Sequence, residues 1–354
     1  MSARTLTRDL LEWFDKNGRD LPWRQKGGAH PNAYAVWISE IMLQQTTVKT
    51  VIPYFHKWMK RFPTITSLVQ SPLEEILLMW QGLGYYTRAK KIYECARILT
   101  QEYDGRLPCD KKELLKLPGI GPYTSSSLMA FAFNAPEVVI DGNVVRVLAR
   151  LDGIEEPVTP FDVESRAKEL TSLTRPADYA SAIMDLGATV CLPSNPVCLF
   201  CPWQKECKAF CKGLTDKIPV IKKTKKLFKK GNVFWIENDK GKILLRKRTG
   251  KGILSGLTEL PWNDDETFPF EANWKKQGHI SHTFTHFHLD LTLYTTRLEK
   301  GKEPPESQET FFAKKEDFPR YPFSSLMKKV IKEATKEINK DTPVFQKEKP
   351  EEKS

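Results

Sequence analysis

Apolar residues in the first part of the chain recur at the three- and four-residue steps of a buried helix face. Between residues 36 and 52 these positions are Val36, Trp37, Ile38, Ile41, Met42, Val48, Val51 and Ile52. Breaks at 63–64, 71–72 and 82–84, which hold proline or glycine, end further predicted helices. No alternating strand pattern competes up to about residue 190, so we predict an all-α domain and assign it residues 1–211.

The pattern changes to that of strands beyond residue 230. Residues 233–248 (VFWIENDKGKILLRKR) predict a β-hairpin whose turn lies near Asp239-Lys240-Gly241. In residues 287–294 (FHLDLTLY), Phe and Leu alternate with His, Asp and Thr, which predicts a strand with one buried face. These strands predict an α+β domain over residues 231–338, so we expect a multidomain protein.

Composition and charge narrow the class of partner. At 354 residues and 40% hydrophobic content the chain can fill two cores, which excludes a wholly disordered protein. It carries 55 Lys and Arg against 44 Asp and Glu, and the excess of +11 favours a polyanion such as nucleic acid. Residues 212–230 hold eight lysines and one acid, and we interpret them as an exposed basic linker. Residues 339–354 are expected to form a disordered tail.

The chain carries no sign of secretion or membrane insertion. Its first residues, MSARTLTRDLLEWF, lack the apolar core of a signal peptide, and no stretch of about 18 apolar residues occurs. We therefore expect a soluble intracellular protein without a membrane partner.

Five of the seven cysteines lie between residues 191 and 211. A secreted disulfide framework would spread its cysteines through a small chain, so this cluster favours a set of metal ligands. Four of them follow the spacing C-x6-C-x2-C-x5-C: Cys191, Cys198, Cys201 and Cys207. Four thiolates on one loop can hold tetrahedral zinc or an iron–sulfur cluster, and the spacing does not decide between them. Buried cysteines without a metal are the weaker alternative, and the main role of a metal here would be structural.

Residues 111–131 (KKELLKLPGIGPYTSSSLMAF) predict two helices joined by a tight hairpin. Pro122 suits the first position of the second helix, and Gly119 and Gly121 let backbone N–H groups approach an anion. A helix–hairpin–helix of this kind contacts DNA phosphates without reading sequence. Alone, the motif could be an ordinary turn between helices, but in a basic chain it indicates DNA binding.

The hairpin and the cysteine loop together resemble the helix–hairpin–helix DNA glycosylase superfamily. Five further stretches narrow the resemblance to the adenine DNA glycosylases of the MutY family: LPWR at 21–24, WISEIMLQQTTV at 37–48, GLGYY at 82–86, IDGNVVRVLAR at 140–150 and HTFTHFHL at 282–289. The resemblance spans about residues 5–335. It implies a glycosylase domain whose loop 191–211 holds a [4Fe-4S] cluster, followed by a Nudix-like domain. We also expect a monomer that is cytoplasmic, or nucleoid-associated in a bacterium.

Glu40 and Asp141 are the candidate catalytic carboxyl groups. Apolar neighbours on the first amphipathic helix would raise the pKa of Glu40 and keep a proton available near neutrality, although a helical Glu is usually a solvated surface residue. Asp141 precedes a helix, where it could simply be an N-cap. One protonated acid and one anion suit cleavage of an N-glycosidic bond, because the sugar carbon develops positive charge.

The resemblance implies roles for four residues. Glu40 would protonate the adenine at N7, and Asp141 would stabilise or transiently trap the sugar cation before water completes hydrolysis. Asn143 would orient this aspartate, and Tyr123 would hydrogen-bond at the catalytic carboxylates. Endonuclease III-like relatives have a nucleophilic lysine where this chain has Tyr123, so we expect a monofunctional glycosylase without substantial lyase activity.

The resemblance also implies which residues hold the flipped adenine and the duplex. The adenine pocket would comprise Arg19, Leu21, Trp23, Arg24 and Ser181. The residues that enter the base stack or contact DNA would be Gln44, Gln45, Thr46, Leu83, Gly84, Tyr85, Gly119 and Gly121. Ser181 departs from the family, which usually has Glu or Gln there, and its shorter hydroxyl would need a bridging water to reach adenine. Without the family, these positions resemble polar helix residues and packed turns.

Four of the six histidines lie in the second domain, at 279, 282, 286 and 288. A metal site is the weaker interpretation of these histidines. The resemblance instead matches Phe284-Thr285-His286 to a loop, most often Phe-Ser-His, that recognises 8-oxoguanine opposite adenine. The metal-binding pattern of Nudix hydrolases is missing beyond GLTELPW at 256–262, so we do not expect nucleotide hydrolysis.

The combined expectation is a base-excision repair enzyme that removes adenine mispaired with 8-oxoguanine or guanine from double-stranded DNA. Two alternatives remain. One is an endonuclease III-like pyrimidine glycosylase/lyase, against which Tyr123 and the second domain argue. The other is a non-catalytic DNA-binding protein held together by zinc.

Overall fold

The computed structural model describes residues 2–24, 31–220, 226–249, 252, 254–302, 304 and 309–336. The expected tail at 339–354 and residues 221–225 of the predicted linker lie outside these ranges. The chain forms two compact units: Met1–Met79 with Arg88–Thr224, and Trp80–Thr87 with Lys225–Ser354. The predicted fold class, a helical domain followed by an α+β domain, is confirmed.

The described part of the first unit is helical. Its helices are α1 Ala3–Asn17, α2 Ala33–Leu43, α3 Val48–Arg61, α4 Ile65–Val69, α5 Leu73–Met79, α6 Thr87–Glu102, α7 Lys111–Lys116, α8 Pro122–Phe131, α9 Gly142–Asp152, α10 Pro160–Leu170, α11 Pro176–Thr189 and α12 Lys208–Cys211. Side-chain caps define several ends: Thr47 accepts from the Thr50 N–H before α3, and Asp110 accepts from the Lys112 N–H before α7. Among the described residues, no helix has the length and apolar character needed to cross a membrane.

One hydrophobic core of the first unit lies between α1, α9, α10 and α11. Leu10, Leu148 and Leu186 are completely buried in it, one each from α1, α9 and α11. Trp203 brings the cysteine loop onto this core, since its buried indole Nε1 donates to the Leu6 carbonyl oxygen at 2.9 Å. Packing therefore holds the loop in place, in addition to any metal that its cysteines bind.

Residues 212–220 differ from the exposed linker that the lysine content predicts. Ile218 is 2% exposed and packs with Ala149 of α9 and with Leu214. The Ile218 carbonyl oxygen accepts from Arg150 Nε at 2.8 Å. Burial of apolar side chains attaches this stretch to the helices, an effect that a count of charges cannot reveal.

The described part of the second unit is a seven-stranded sheet with a helix packed on one face. The elements are β1 Leu227–Glu237, β2 Ile243–Lys247, β3 Thr258–Glu259, β4 Trp262–Asn263, β5 Lys275–Thr283, β6 Phe287–Arg297, β7 Thr310–Ala313 and α13 Ser325–Ala334. The strand order is β3-β2-β1-β6-β5, with β4 also paired to β1 and β7 to β2. β1 begins at Leu227, inside the predicted linker, because its parallel pairing with β6 starts there, opposite Phe287.

Both sequence-predicted strand patterns are present in this sheet. Glu237 pairs with Ile243 across the predicted hairpin, and Gly241 in its turn has a φ of +72°, which favours glycine. The alternating residues of β6 bury one face against α13, where they meet Val330; they are Leu289, Leu291 and Leu293.

A short stretch between α5 and α6, residues 80–87, belongs to the second unit. Gln81 Nε2 donates to the Phe323 carbonyl oxygen at 2.9 Å, and the Tyr86 hydroxyl donates to the same oxygen at 3.4 Å. The sequence predicted only a break between helices here, because the partner lies more than 200 residues further along the chain.

Candidate active site

A cavity of about 1200 Å³ in the first unit gathers all of the predicted catalytic and adenine-pocket residues. Its walls come from the segment after α1, from α2 and the turn that follows it, from the starts of α8 and α9, and from α11. The predicted residues that line it are Arg19, Leu21, Trp23, Arg24, Glu40, Gln44, Gln45, Thr46, Tyr123, Asp141, Asn143 and Ser181. The helical fold thus brings candidate catalytic and adenine-contacting side chains into one space.

Glu40 lies on α2, which is buried along most of its length, and the residue is 7% exposed. The Tyr123 hydroxyl donates to Glu40 Oε2 at 3.3 Å, and the Ser127 hydroxyl nearby also lowers the pKa of this carboxyl. Burial raises the pKa of Glu40 to about 7, against the lowering effect of these hydroxyl groups and of the Arg24 charge. Glu40 can therefore hold a proton near neutral pH and deliver it inside the cavity.

Tyr123 is the second residue of α8, directly after the hairpin, and remains a neutral donor. Its burial, with the charges of Glu40 and Asp141, raises the pKa of the phenol well above its usual value. The side chain therefore links the hairpin to Glu40 as a neutral hydroxyl. A phenol at this position also cannot form the Schiff base that a lysine could form.

Asp141 is the N-cap of α9, as one of its two interpretations from the sequence predicted. The same carboxylate remains the candidate for the chemical role. Its Oδ1 accepts from the Val144 N–H at 2.8 Å, and its Oδ2 accepts from Asn143 Nδ2 at 2.9 Å. Asn143 Oδ1 accepts in turn from Arg146 Nη2 at 2.8 Å. These donors fix the carboxylate at a helix N-terminus, a position that favours negative charge.

Gly187 of α11 allows α9 to come close enough for this arrangement. A Cβ at position 187 would lie 2.7 Å from the Cβ of Asn143, so a larger residue would displace the side chain that holds Asp141. Gly187 was not among the residues predicted from the sequence. The signal was a glycine inside an otherwise helical stretch, ASAIMDLGAT.

Arg19 and Arg24, predicted to contact adenine, both bind Asp185 of α11, which the sequence analysis missed. The Asp185 side chain is completely buried and accepts from Arg19 Nη2 at 2.6 Å and from Arg24 Nη1 at 2.8 Å. Burial alone would raise the pKa of Asp185, but its contacts with Arg24 and Arg19 outweigh burial and hold that pKa below its usual value. An acid within an apolar helical stretch was the available signal.

The remaining predicted adenine-pocket residues form the apolar part of the cavity wall. Leu21 and Trp23 are each 6% exposed, and the Trp23 ring meets Phe55 edge-on with centroids 5.2 Å apart. Ser181 is also buried and lies one helical turn before Asp185. A planar base could pack against this surface, and the direct contact to adenine stays a prediction.

The predicted DNA-contacting residues fall in different places. Gln44, Gln45 and Thr46 line the cavity at the end of α2, and Gln45 has a φ of +67°, an uncommon conformation for a side chain of this size. Leu83 does not line the cavity and is 6% exposed, so in this conformation it is buried rather than presented as a wedge. Tyr85, 43% exposed, and Gly84 belong with it to the 80–87 stretch of the second unit.

The hairpin between α7 and α8 exposes its glycine backbone. Gly119 has a φ of +80°, and a Cβ there would lie 2.7 Å from the Cβ of Lys91, so the position accepts only glycine without rearrangement. Gly121 caps α8 without a side-chain hydrogen bond. Gly121 therefore places no side-chain cap on the first N–H groups of α8, an arrangement that suits contact with an anion.

The four predicted metal-ligating cysteines lie on one loop next to α9: Cys191, Cys198, Cys201 and Cys207. Burial raises the pKa of Cys201 to about 12, with smaller contributions from the other three thiols, which shows that they are neighbours. Arg150 Nη1 donates to Cys191 Sγ at 3.3 Å, and Cys207 Sγ donates to the Arg150 carbonyl oxygen at 3.3 Å. This sulfur-only donor set suits zinc or an iron–sulfur cluster. Among the described residues, no three His, Cys, Asp or Glu side chains converge closely enough to hold a single metal ion.

The predicted 8-oxoguanine recognition residues form the tip of the β5–β6 hairpin. The Phe284 N–H donates to the Phe287 carbonyl oxygen at 2.8 Å, and the two rings stack with centroids 4.7 Å apart. Phe284 is partly buried, whereas Thr285 and His286 are exposed. The Thr285 hydroxyl shares a hydrogen bond with the Tyr85 hydroxyl of the same unit. The Phe pair thus anchors a turn that presents a hydroxyl and an imidazole.

Comparison with known families assigns both units. Residues 38–172 match the HhH-GPD superfamily of base excision DNA repair proteins, and residues 232–333 match the NUDIX domain. Among solved structures, a thermostable thymine-DNA glycosylase superposes with a TM-score of 0.54 at 28% identity, covering 59% of this chain and 97% of that one. The fold and the cavity therefore define a helix–hairpin–helix DNA glycosylase with an added Nudix-like domain.

Two relatives identify the family within that class. The chain is 39% identical over 307 residues to the adenine DNA glycosylase of Buchnera aphidicola subsp. Baizongia pistaciae, covering 83% of this chain and 85% of the relative. It is 35% identical over 325 residues to the same enzyme of Buchnera aphidicola subsp. Schizaphis graminum, covering 88% and 92%. The chain belongs to the adenine DNA glycosylase family, enzymes that hydrolyse N-glycosidic bonds in base excision repair. The predicted family and enzyme class are confirmed, and neither alternative is favoured.

Proposed function

We propose that this protein excises adenine from double-stranded DNA in which the adenine lies opposite 8-oxoguanine or guanine. The observation that carries the proposal is the presence of Glu40 and Asp141 in one cavity in unlike environments. Glu40, with its pKa raised to about 7, suits protonation of the leaving base. Asp141, fixed by donors at the start of α9, suits stabilisation of the positive sugar carbon. The names of the matched relatives support adenine as the base.

In this mechanism the adenine leaves the duplex and enters the cavity before its bond to the sugar breaks. Glu40 gives its proton to the base, while Tyr123 holds the Glu40 carboxyl in place. Asn143 keeps Asp141 oriented toward the developing cation, and water then completes hydrolysis. Tyr123 supplies no amine for a Schiff base, which supports a monofunctional glycosylase without lyase activity.

The 8-oxoguanine contact is assigned to Thr285 and His286. Both are exposed at the tip of a hairpin that Phe284 anchors, which supports a role in touching a base. The threonine hydroxyl and the imidazole can each donate or accept a hydrogen bond.

The cysteine loop is assigned to a [4Fe-4S] cluster held by Cys191, Cys198, Cys201 and Cys207. A bound cluster would supply cross-linking of the loop. The thiol protons must leave when metal binds, so assembly depends on pH. Burial raises the pKa of Cys198, Cys201 and Cys207. Purified protein should be brown and contain iron. Colourless protein with stoichiometric zinc would overturn this assignment.

The test of the main proposal is single-turnover excision from duplexes with adenine opposite 8-oxoguanine, guanine or thymine, developed with alkali. We expect rapid product from the first two duplexes and little from the third. Glu40→Gln should reduce the rate by about 10²–10⁴-fold while binding persists, because the amide cannot donate the proton. Glu94→Gln, the same change at a half-exposed position on α6, should act like the unmodified protein. Activity of Glu40→Gln, or equal cleavage of all three duplexes, would refute the proposal.

The same duplexes test the recognition hairpin. The double variant Thr285→Ala, His286→Ala should lose activity on the 8-oxoguanine mispair more than on the guanine mispair, since the contacts proposed are to the oxidised base. Ser281→Ala, an exposed position on β5, is the matched control and should leave both rates unchanged. Equal losses on the two mispairs would contradict the assignment.

A further inference from the structure

Asp185 is the residue on which two arginines of the cavity wall converge. Arg19 donates to Asp185 Oδ1 from Nε at 2.8 Å and from Nη2 at 2.6 Å. Arg24 donates to Oδ2 from Nη1 at 2.8 Å and to Oδ1 from Nη2 at 3.0 Å. The Arg19 backbone N–H adds a further bond to Oδ2 at 2.9 Å. The carboxylate is 0% exposed, so the protein alone supplies these partners.

We propose that Asp185 is a positioning residue that fixes Arg19 and Arg24 against α11 and cancels one of their two positive charges beside Glu40. This inference rests on the proposed role of Glu40 as the proton donor. Asp185 itself does not line the cavity, so it acts through the two arginines, which do.

The charge of Glu40 depends on the groups that face it. Arg24 acts on it from the segment after α1, Tyr123 from α8 and Asp141 from the start of α9. Of these three, Arg24 alone carries positive charge, and it lowers the pKa of Glu40. The cluster of two guanidinium groups and one carboxylate has a net charge of +1, and without Asp185 that charge becomes +2. The second positive charge would favour the ionised form of Glu40 and remove its proton at a lower pH.

Asp185 also fixes the shape of the cavity wall. Arg19 and Arg24 flank Leu21 and Trp23, so a carboxylate that binds both arginines also fixes the apolar segment between them to α11. Arg24 makes two parallel bonds, one to each carboxylate oxygen, and Arg19 directs two N–H groups to Oδ1. Two bonds from each guanidinium group restrain its rotation as well as its distance. Adenine would therefore meet a wall that is already in place before it enters.

The experiment is the pH profile of single-turnover excision between pH 5.5 and 9 for the full-length protein. The rate for the unmodified chain should fall as pH rises through about 7, where Glu40 loses its proton. In Asp185→Asn this fall should move to lower pH by about half to one unit. The double variant Asp185→Asn, Arg19→Gln has a net charge of +1 again, so its fall should return toward the original pH even if its maximal rate stays low.

A further variant keeps the inference testable if Asp185→Asn does not fold correctly. Arg19→Gln alone leaves the cluster with no net charge. The fall in its excision rate should therefore move to higher pH, whereas the fall for Asp185→Asn should move to lower pH. If all three variants have reduced maximal rates but their excision rates fall at the same pH as that of the unmodified chain, Asp185 has a merely structural role and the inference is overturned. If the unmodified chain shows no fall near pH 7 and Glu40→Gln is active, the proposed role of Glu40 fails first, and this inference fails with it.

Discussion

Glu40 on α2 and Asp185 on α11 are both buried carboxyl groups of the first unit, yet the structure shifts their pKa values in opposite directions. Glu40 has the neutral hydroxyl group of Tyr123 as a hydrogen-bond partner, and burial raises its pKa to about 7. Asp185 is also buried from solvent, but two guanidinium groups hold its pKa below the usual value. The difference shows that the partner decides the charge state of a buried carboxyl group more than depth does.

Removal of Asp185 should give the largest change in stability. Asp185→Ala leaves Arg19 and Arg24 partly buried without a counter-charge, so we expect the free energy of unfolding to fall by about 3 kcal/mol. Asp178→Ala is the control on the same helix, because Asp178 pairs with Arg175 at 2.7 Å but both side chains are about 40% exposed. Its loss should stay below about 1 kcal/mol. Urea unfolding at pH 7 measures both, and similar losses would contradict the distinction between the two pairs.

Substitution of Glu40 should instead stabilise the protein, because the surroundings of Glu40 disfavour the negative charge that it carries above pH 7. Glu40→Gln should raise the free energy of unfolding by about 2 kcal/mol more at pH 8 than at pH 5. The folded-state pKa of about 7 lies above the ordinary 4.5, so Glu40 costs little at low pH. That cost grows as pH rises from about 4.5 to about 7 and is then constant. Urea unfolding at the two pH values measures the change.

Glu94→Gln supplies the comparison for this variant. Its carboxyl group is 50% exposed and pairs with Lys91, so the same substitution should give a difference between the two pH values of less than about 0.5 kcal/mol. A stability gain for Glu40→Gln that is equal at pH 5 and pH 8 would mean that burial does not perturb Glu40 as the structure indicates. A gain with loss of excision would mark Glu40 as a position where function is kept at a cost in stability.

The same two residues show what a sequence can and cannot predict. Apolar neighbours on its own helix predicted the raised pKa of Glu40, and the family resemblance supplied its catalytic role. Asp185 also has apolar neighbours on its helix, but it was missed because the arginines that bind it are 161 and 166 residues away along the chain. Hydrophobic spacing predicted the helices and strands for the same reason, since that signal is local. It could not predict the attachment of residues 80–87 to the second unit, where the partner of Gln81 is Phe323.

Arg24→Lys gives the smallest expected effect and separates charge from geometry in the Asp185 cluster. A lysine keeps the positive charge but cannot reproduce the two bonds that Arg24 makes to Asp185. We expect the free energy of unfolding to fall by about 1 kcal/mol, while the pH at which excision declines stays within about 0.3 units of the original. Arg175→Lys, at an exposed pair with Asp15, is the control and should cost less. A clear shift of the pH profile in Arg24→Lys would mean that the position of the guanidinium group, and not its charge alone, controls Glu40.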